Sequence, residues 1–159
     1  MSDRGHEGEP ARASSAFWRR DSFIFAAVAQ AARWLGAHTE PKDRLYVWGS
    51  RPQLYVLSGR KAVCRYLFNW YYDLAKRGKP EELKEDEKRA TSVQQDIVDE
   101  TLVGLRKYRP PYIVVTDPAK LPRFPEIKQY LEENYEFERE WRAKEYSPRV
   151  YKRRPGEGT

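Results

Sequence analysis

Apolar residues recur along this chain first at helical spacing and then in alternation, which predicts the order of its elements. Ile24, Val28, Ala31 and Leu35 fall on one helical face, with Asp21 or Ser22 as a cap and Gly36 as a stop. Leu45 to Trp48 alternates as a strand, entered through the turn-like run Glu40 to Asp43 and closed by Gly49. Ser50 suits an N-cap and Pro52 the start of a short helix through Leu57, with Gly59 at its exit. Val63 to Phe68 reads as a second strand.

After residue 69 the pattern breaks. Residues 76–90 hold six basic and five acidic side chains, so a charged, mobile insertion is expected over about 73–90. Thr91 or Ser92, each followed three residues later by Gln, then caps a helix faced by Val93, Ile97, Leu102 and Leu105. Arg109-Pro110-Pro111 stops it. Tyr112 to Thr116 is a short β-branched run suited to a strand buried on both faces. Pro125 opens a further helix through Ile127 and Leu131, ended by Asn134. Tyr135 to Trp141 and Arg149 to Arg153 alternate again as two late strands, with an antiparallel orientation open to them.

That order predicts an α/β fold: a small, mainly parallel sheet of four or five strands flanked by helices. Residues 1–19 read as a disordered lead-in, 20–154 as a single domain, and 155–159 as a tail. At 159 residues there is material for one core.

Composition narrows the classes. Charged residues make up 34% and mean hydropathy is -0.91, and no uncharged run approaches the ~20 residues of a membrane span. With only His6, His38 and Cys64, His-based triads and zinc sites of the usual kind are nearly excluded, and no cofactor is implied. The net charge of +6 is uneven. Residues 1–22 balance, whereas 139–154 carry a net of +5. Arg149, Lys152, Arg153 and Arg154 are therefore candidates for contact with an anionic surface, against the plainer reading of a solvated tail.

In an open parallel sheet the ligand crevice lies at the carboxyl ends of the strands. The residues expected there are Trp48, Gly49, Ser50 and Arg51 from the first strand and Asp117 after the Tyr112–Thr116 strand. Arg60 and Arg65 add guanidinium groups nearby that could take a phosphate in bidentate fashion, or could cover a sheet edge with their stems. The Gly49 loop lacks dinucleotide and phosphate-loop spacings, and an ordinary strand-to-helix turn is the better account of it. Asp96, Asp99 and Glu100 fall opposite the apolar face of their helix, as a solvated face would. Trp18 to Phe25 has the paired arginines of a twin-arginine export signal, but its apolar stretch is short and runs into Arg33. Aromatics interleaved with basic residues at 65–72 and 149–154 could stack bases, but no RNA- or DNA-binding signature accompanies them.

One resemblance is carried by several motifs in order. Asp43, Arg44, Val47, Trp48 and Gly49, then Pro52, Leu54, Tyr55, Leu57, Ser58, Gly59 and Arg60, then Arg65, follow the pattern of one known domain. It is the C-terminal soluble domain of polyprenol-phosphate-sugar-dependent membrane glycosyltransferases, related to protein O-mannosyltransferases and aminoarabinose lipid A transferases. Pro110 to Val115, Leu131 to Tyr135 and Val150 to Arg153 resemble its later motifs, so the likeness spans about residues 20–154. In that family catalysis lies in the multi-helix membrane part, so the resemblance implies no catalytic residue in this chain. It implies a detached or separately encoded accessory domain at the extracytoplasmic face of the cell envelope. Such a domain would pack on its transmembrane partner, contacting acceptor or anionic lipid headgroups. The alternative is a stand-alone cytoplasmic α/β protein that binds a phosphorylated ligand or nucleic acid through its basic surface.

Overall fold

The computed structural model describes residues 14–67, 85–143 and 147–156. Ten elements follow one another, nine of them helices or strands: α1 (Ser14–His38), β1 (Arg44–Trp48), α2 (Gln53–Ser58), β2 (Lys61–Ala62), α3 (Glu85–Tyr108) and β3 (Tyr112–Val115). A 3-10 turn (Leu121–Arg123), α4 (Pro125–Asn134), β4 (Tyr135–Glu140) and β5 (Arg149–Arg153) complete the order. The strands form one mixed sheet in the order β2-β1-β3-β5-β4. β1 pairs parallel with β2 and β3, while β5 pairs antiparallel with β3 and β4. The fold is the expected α/β sandwich, with its two late strands antiparallel.

Alternation along the strands divides the core between two faces. Leu45 and Val47 of β1, Tyr112 and Val114 of β3, and Val150 of β5 pack with Val28, Ala31, Ala32 and Leu35 of α1 and Leu54 and Tyr55 of α2. Tyr46, Trp48, Ile113 and Val115 point the other way, against Ile97, Leu102 and Leu105 of α3 and Ile127 and Leu131 of α4. Period 2 in the strands and period 3.6 in the helices thus meet on both sides of a sheet one strand-layer thick. Both faces of β1 and β3 are buried, which is why their sequences read as nearly unbroken apolar runs.

Three boundaries differ from the sequence reading. α1 begins at Ser14 and continues through Gly36 to His38, because the last carbonyls find donors beyond the helix. Thr39 Oγ1 donates to Leu35 O at 2.6 Å, and Arg60 Nη2 donates to Gly36 O at 2.9 Å. α3 begins at Glu85, so residues 85–90, expected to fall in the charged insertion, are helical. Charge density misled here, since Lys, Glu and Arg are good helix formers and acids at a helix start favour the dipole. The remainder of that insertion lies outside the described residues, as do 1–13 of the lead-in and the end of the tail.

The third difference is β2, which spans Lys61–Ala62 where a strand was expected from Val63 onward to Phe68, the last of these lying outside the described residues. The pairing gains one more bond, Val63 N–H to Leu45 O at 3.1 Å, and there the chain meets α3. Val63 is buried, and its carbonyl oxygen lies 2.5 Å from where a Cβ on Gly104 would sit. α3 crosses this segment so closely that only glycine fits. Gly104→Ala is therefore expected to destabilise the fold by about 2 kcal/mol, the backbone clash outweighing the ~1 kcal/mol that alanine gains in a helix. Urea denaturation of the variant checks the sign.

Candidate functional site

The crevice expected at the carboxyl ends of β1 and β3 is filled by its own residues. Thr116 N–H and Thr116 Oγ1 both donate to Trp48 O, at 2.8 and 3.2 Å. Trp48 is buried, its ring 4.9 Å from that of Phe124, and its Nε1 donates to Asp117 O at 3.2 Å. Gly49 has φ of 133°, and a Cβ there would sit 1.8 Å from Thr116 Oγ1. Glycine is thus required by both backbone angle and space, and the room it leaves is taken by a threonine.

Ser50 and Arg51 lead into α2, whose N-cap position is Pro52 and carries no side-chain capping bond. The helix instead opens through Leu54 N–H to Arg51 O and Tyr55 N–H to Pro52 O, both at 3.1 Å. Pro52, and not Ser50, thus holds the N-cap position. Gly59 at the exit is left-handed, as expected, with φ of 67°. Six residues give α2 little dipole, so this turn is not an anion-binding helix terminus. Asp117 stands in the next turn, accepting from Lys120 N–H through its backbone oxygen at 3.3 Å, with Lys120 Nζ 3.7 Å from its carboxylate.

Arg60 is the clearest reassignment. Its Nε donates to Thr39 Oγ1 at 2.7 Å. Its Nη1 donates to Ser58 O at 3.0 Å and Gly59 O at 3.3 Å, and its Nη2 to Gly36 O at 2.9 Å and Thr39 O at 2.7 Å. A guanidinium has five N–H donors, and here all five are engaged. Arg60 ties the ends of α1 and α2 together and holds nothing in reserve for a phosphate.

Arg65 lies elsewhere, exposed on the α3 side, 3.0 Å from Glu100 and 3.0 Å from the Tyr66 hydroxyl. The Tyr66 contact and the nearby Glu100 carboxylate hold its proton still more firmly than usual. It does not converge with Trp48, Gly49 or Asp117. Neighbouring Cys64 is largely buried, its Sγ 3.6 Å from Tyr66 O and 3.7 Å from Thr101 Oγ1. Burial pushes its thiol pKa up, away from the thiolate a nucleophile needs. Among the described residues no group of three or more His, Cys, Asp or Glu could hold a metal ion.

The basic residues of β5 are partly balanced across the strand pair. Arg149 donates through Nε to Glu140 Oε1 at 2.9 Å, a bond that strengthens its hold on its proton. Lys152 stands in register opposite Glu136. Arg153 Nη1 donates to Arg109 O at 3.1 Å, and Arg154 Nε to Tyr135 O at 3.1 Å. Part of the charge that reads as a basic run along the tail is thus met by Glu136 and Glu140 of β4 once the sheet forms.

Two surface features escaped the sequence reading. Phe25, Val56 and Leu57 are 57%, 81% and 46% exposed, and with Pro52 and Gln53 they line an apolar groove of about 270 Å³ between α1 and α2. The signal was the unbroken apolar run Leu54 to Leu57, since one helix face can bury only part of such a run. The second feature is a groove of about 460 Å³ over β4 and β5, beside α4, floored by Tyr135, Phe137 and Tyr151. Comparison with family models, curated proteins and solved structures finds no match to this chain.

Proposed function

We propose that this chain is a non-catalytic accessory domain of a membrane glycosyltransferase that uses a polyprenyl-phosphate sugar, docked on its membrane part at the extracytoplasmic face. The reading rests on the ordered motifs from Asp43 to Arg65 and Pro110 to Arg153, and the observation that carries it is the apolar α1–α2 surface. Its three exposed large side chains are clustered on one groove rather than scattered, as an interaction surface would have them. Among the described residues no helix is long and apolar enough to cross a membrane. The occupation of Arg60 and the Trp48–Thr116 turn by scaffold bonds further favours a docking role over ligand chemistry there.

The test is co-sedimentation of the purified chain with membranes that carry the transferase, beside protein-free vesicles of the same lipids with and without anionic headgroups. Binding to the protein-bearing membranes should exceed binding to lipid alone. The double variant Val56→Glu, Leu57→Glu should lose it about tenfold while its thermal unfolding changes little, because both side chains are already exposed. Equal binding to bare lipid, or binding unmoved by the variant, would overturn docking through α1–α2. Binding to anionic vesicles that falls steeply with salt would instead assign the contact to the basic residues of β5.

A further inference from the structure

Chain direction brings a cation from each strand to the same end of the sheet. β2 and β1 start there with Lys61 and Arg44, which stand opposite each other in register. Arg109 sits in the turn that leads from α3 into β3, and β5 finishes there with Arg153. Arg153 N–H donates to Pro111 O at 2.9 Å and its Nη1 to Arg109 O at 3.1 Å, which ties the two arginines together. Arg154 reaches on to β4, its Nε donating to Tyr135 O at 3.1 Å. In the strand order β2-β1-β3-β5-β4 these cations form a row about 19 Å long, at ~4.8 Å per strand. Arg106 and Lys107, in the last turn of α3, flank its middle. Arg44 and Arg153 are half-buried and the others are exposed.

The acids that reach this end are already engaged. Glu40 pairs with Lys42 at 2.7 Å, Asp43 accepts from Glu40 N–H at 2.7 Å, and Glu133 accepts from Gln129 at 2.7 Å. Among the described residues no carboxylate lies within ion-pair distance of any cation of the row or its flank. The C-termini of α1, α3 and α4 also point here, and at about half a negative charge each they offset fewer than two cations. A single small anion needs cations that converge on it, and a bilayer surface needs apolar anchors beside them. A row suits a linear polyanion better than either. One exposed ring stands in it: Tyr108 is 37% exposed, with Arg44 Cζ 4.0 Å and Lys107 Nζ 5.0 Å from its centroid. We propose that this end of the sheet binds a single-stranded polynucleotide, with phosphates along the row and a base against Tyr108. The proposal goes beyond the docking role and does not rest on it, since the α1–α2 groove opens at Phe25, about 20 Å along α1 from this end.

The experiment is fluorescence anisotropy of a labelled oligothymidylate of about ten residues with the full chain over a salt series, with anionic vesicles as a separate competing arm. Saturable binding is expected, falling about fiftyfold from about 50 to about 200 mM salt, as about four phosphate contacts on a single strand require. Lys61→Gln with Arg109→Gln should weaken it about tenfold and flatten the salt slope. Arg33→Gln with Lys128→Gln, which removes as much charge from elsewhere on the surface, should leave it within about twofold. Tyr108→Leu should cost about fivefold, and Tyr108→Phe, which keeps the ring, should preserve binding. Absence of saturable binding, equal loss in the two double variants, binding indifferent to Tyr108→Leu, or preference for anionic vesicles would each overturn the proposal. The oligothymidylate titrations contain no membrane, so their failure leaves docking through α1–α2 standing.

Discussion

Gly49→Ala is expected to destabilise the protein by about 3 kcal/mol or more, though it adds a single methyl group. Two costs combine. The backbone at φ of 133° is a conformation that side-chain-bearing residues rarely adopt, and the new Cβ would lie 1.8 Å from Thr116 Oγ1 and 3.1 Å from Thr116 Cβ. Relief requires Thr116 to move, and it is held by two hydrogen bonds to Trp48 O. Denaturant unfolding of Gly49→Ala, Thr116→Ala and the double variant separates the costs. Removing the hydroxyl should recover part of the loss, so the double variant should be more stable than the sum of the single changes implies. Strict additivity would mean that the turn relaxes elsewhere and that the overlap is not what makes glycine necessary.

Arg60→Met should cost about 3 kcal/mol, and Arg60→Lys nearly as much. The reason lies in the acceptors left behind. Gly36 O, Thr39 O and Ser58 O sit at the meeting of two helix ends, and each receives an Arg60 N–H at 3.0 Å or less. Methionine fills the stem's volume but satisfies none of them. Lysine has three donors on one atom and cannot span carbonyls arranged around a planar fork. Unfolding in urea, with hydrogen exchange at Leu35 to Thr39, tests this. Stability within about 0.5 kcal/mol of the parent for both variants would mean that the five bonds are dispensable. Arg60 would then again be a candidate for holding a ligand.

The same residue shows what was readable in the sequence and what was not. Leu45 to Trp48 and Tyr112 to Val115 announce themselves as two-sided strands because burial on both faces leaves only apolar, mostly β-branched or aromatic choices. Pro125 and Asn134 mark both ends of α4 by chemistry that acts within one turn. Arg60 has no such local signature. An arginine after Ser58-Gly59 looks identical whether its fork meets a phosphate or carbonyls 21 and 24 positions earlier in the chain. The length of β2 was hidden for a related reason, since Val63 leaves the sheet under the pressure of α3, more than thirty residues away. Residues 85–90 failed differently. Their charge spoke to solvent exposure and was taken to speak against helix, which it does not.

The candidate site moved for physical reasons as well. Trp48, Gly49 and Asp117 do converge, but around Thr116, and the crevice becomes core. The basic run from Arg149 to Arg154 looked like a patch because a sequence shows one strand at a time. Glu136 and Glu140 on β4 become its neighbours only through the antiparallel pairing. Phe137 is the converse case, an aromatic at an inward position that has no helix above it.

The spatial order of the strands sets an order in time. β5 lies between β3 and β4 in the sheet although it follows both along the chain. As the polypeptide leaves the ribosome, β4 has no partner strand and β3 keeps one edge open until Arg149 to Arg153 has emerged. The Val114 and Val150 layer, and the hairpin with β4, can close only then. For that interval an apolar strand edge is exposed, the state in which sheets pair with the wrong chain. A chain exposed only as far as Pro148 would have all of its described helices outside the ribosome and a sheet still split in two.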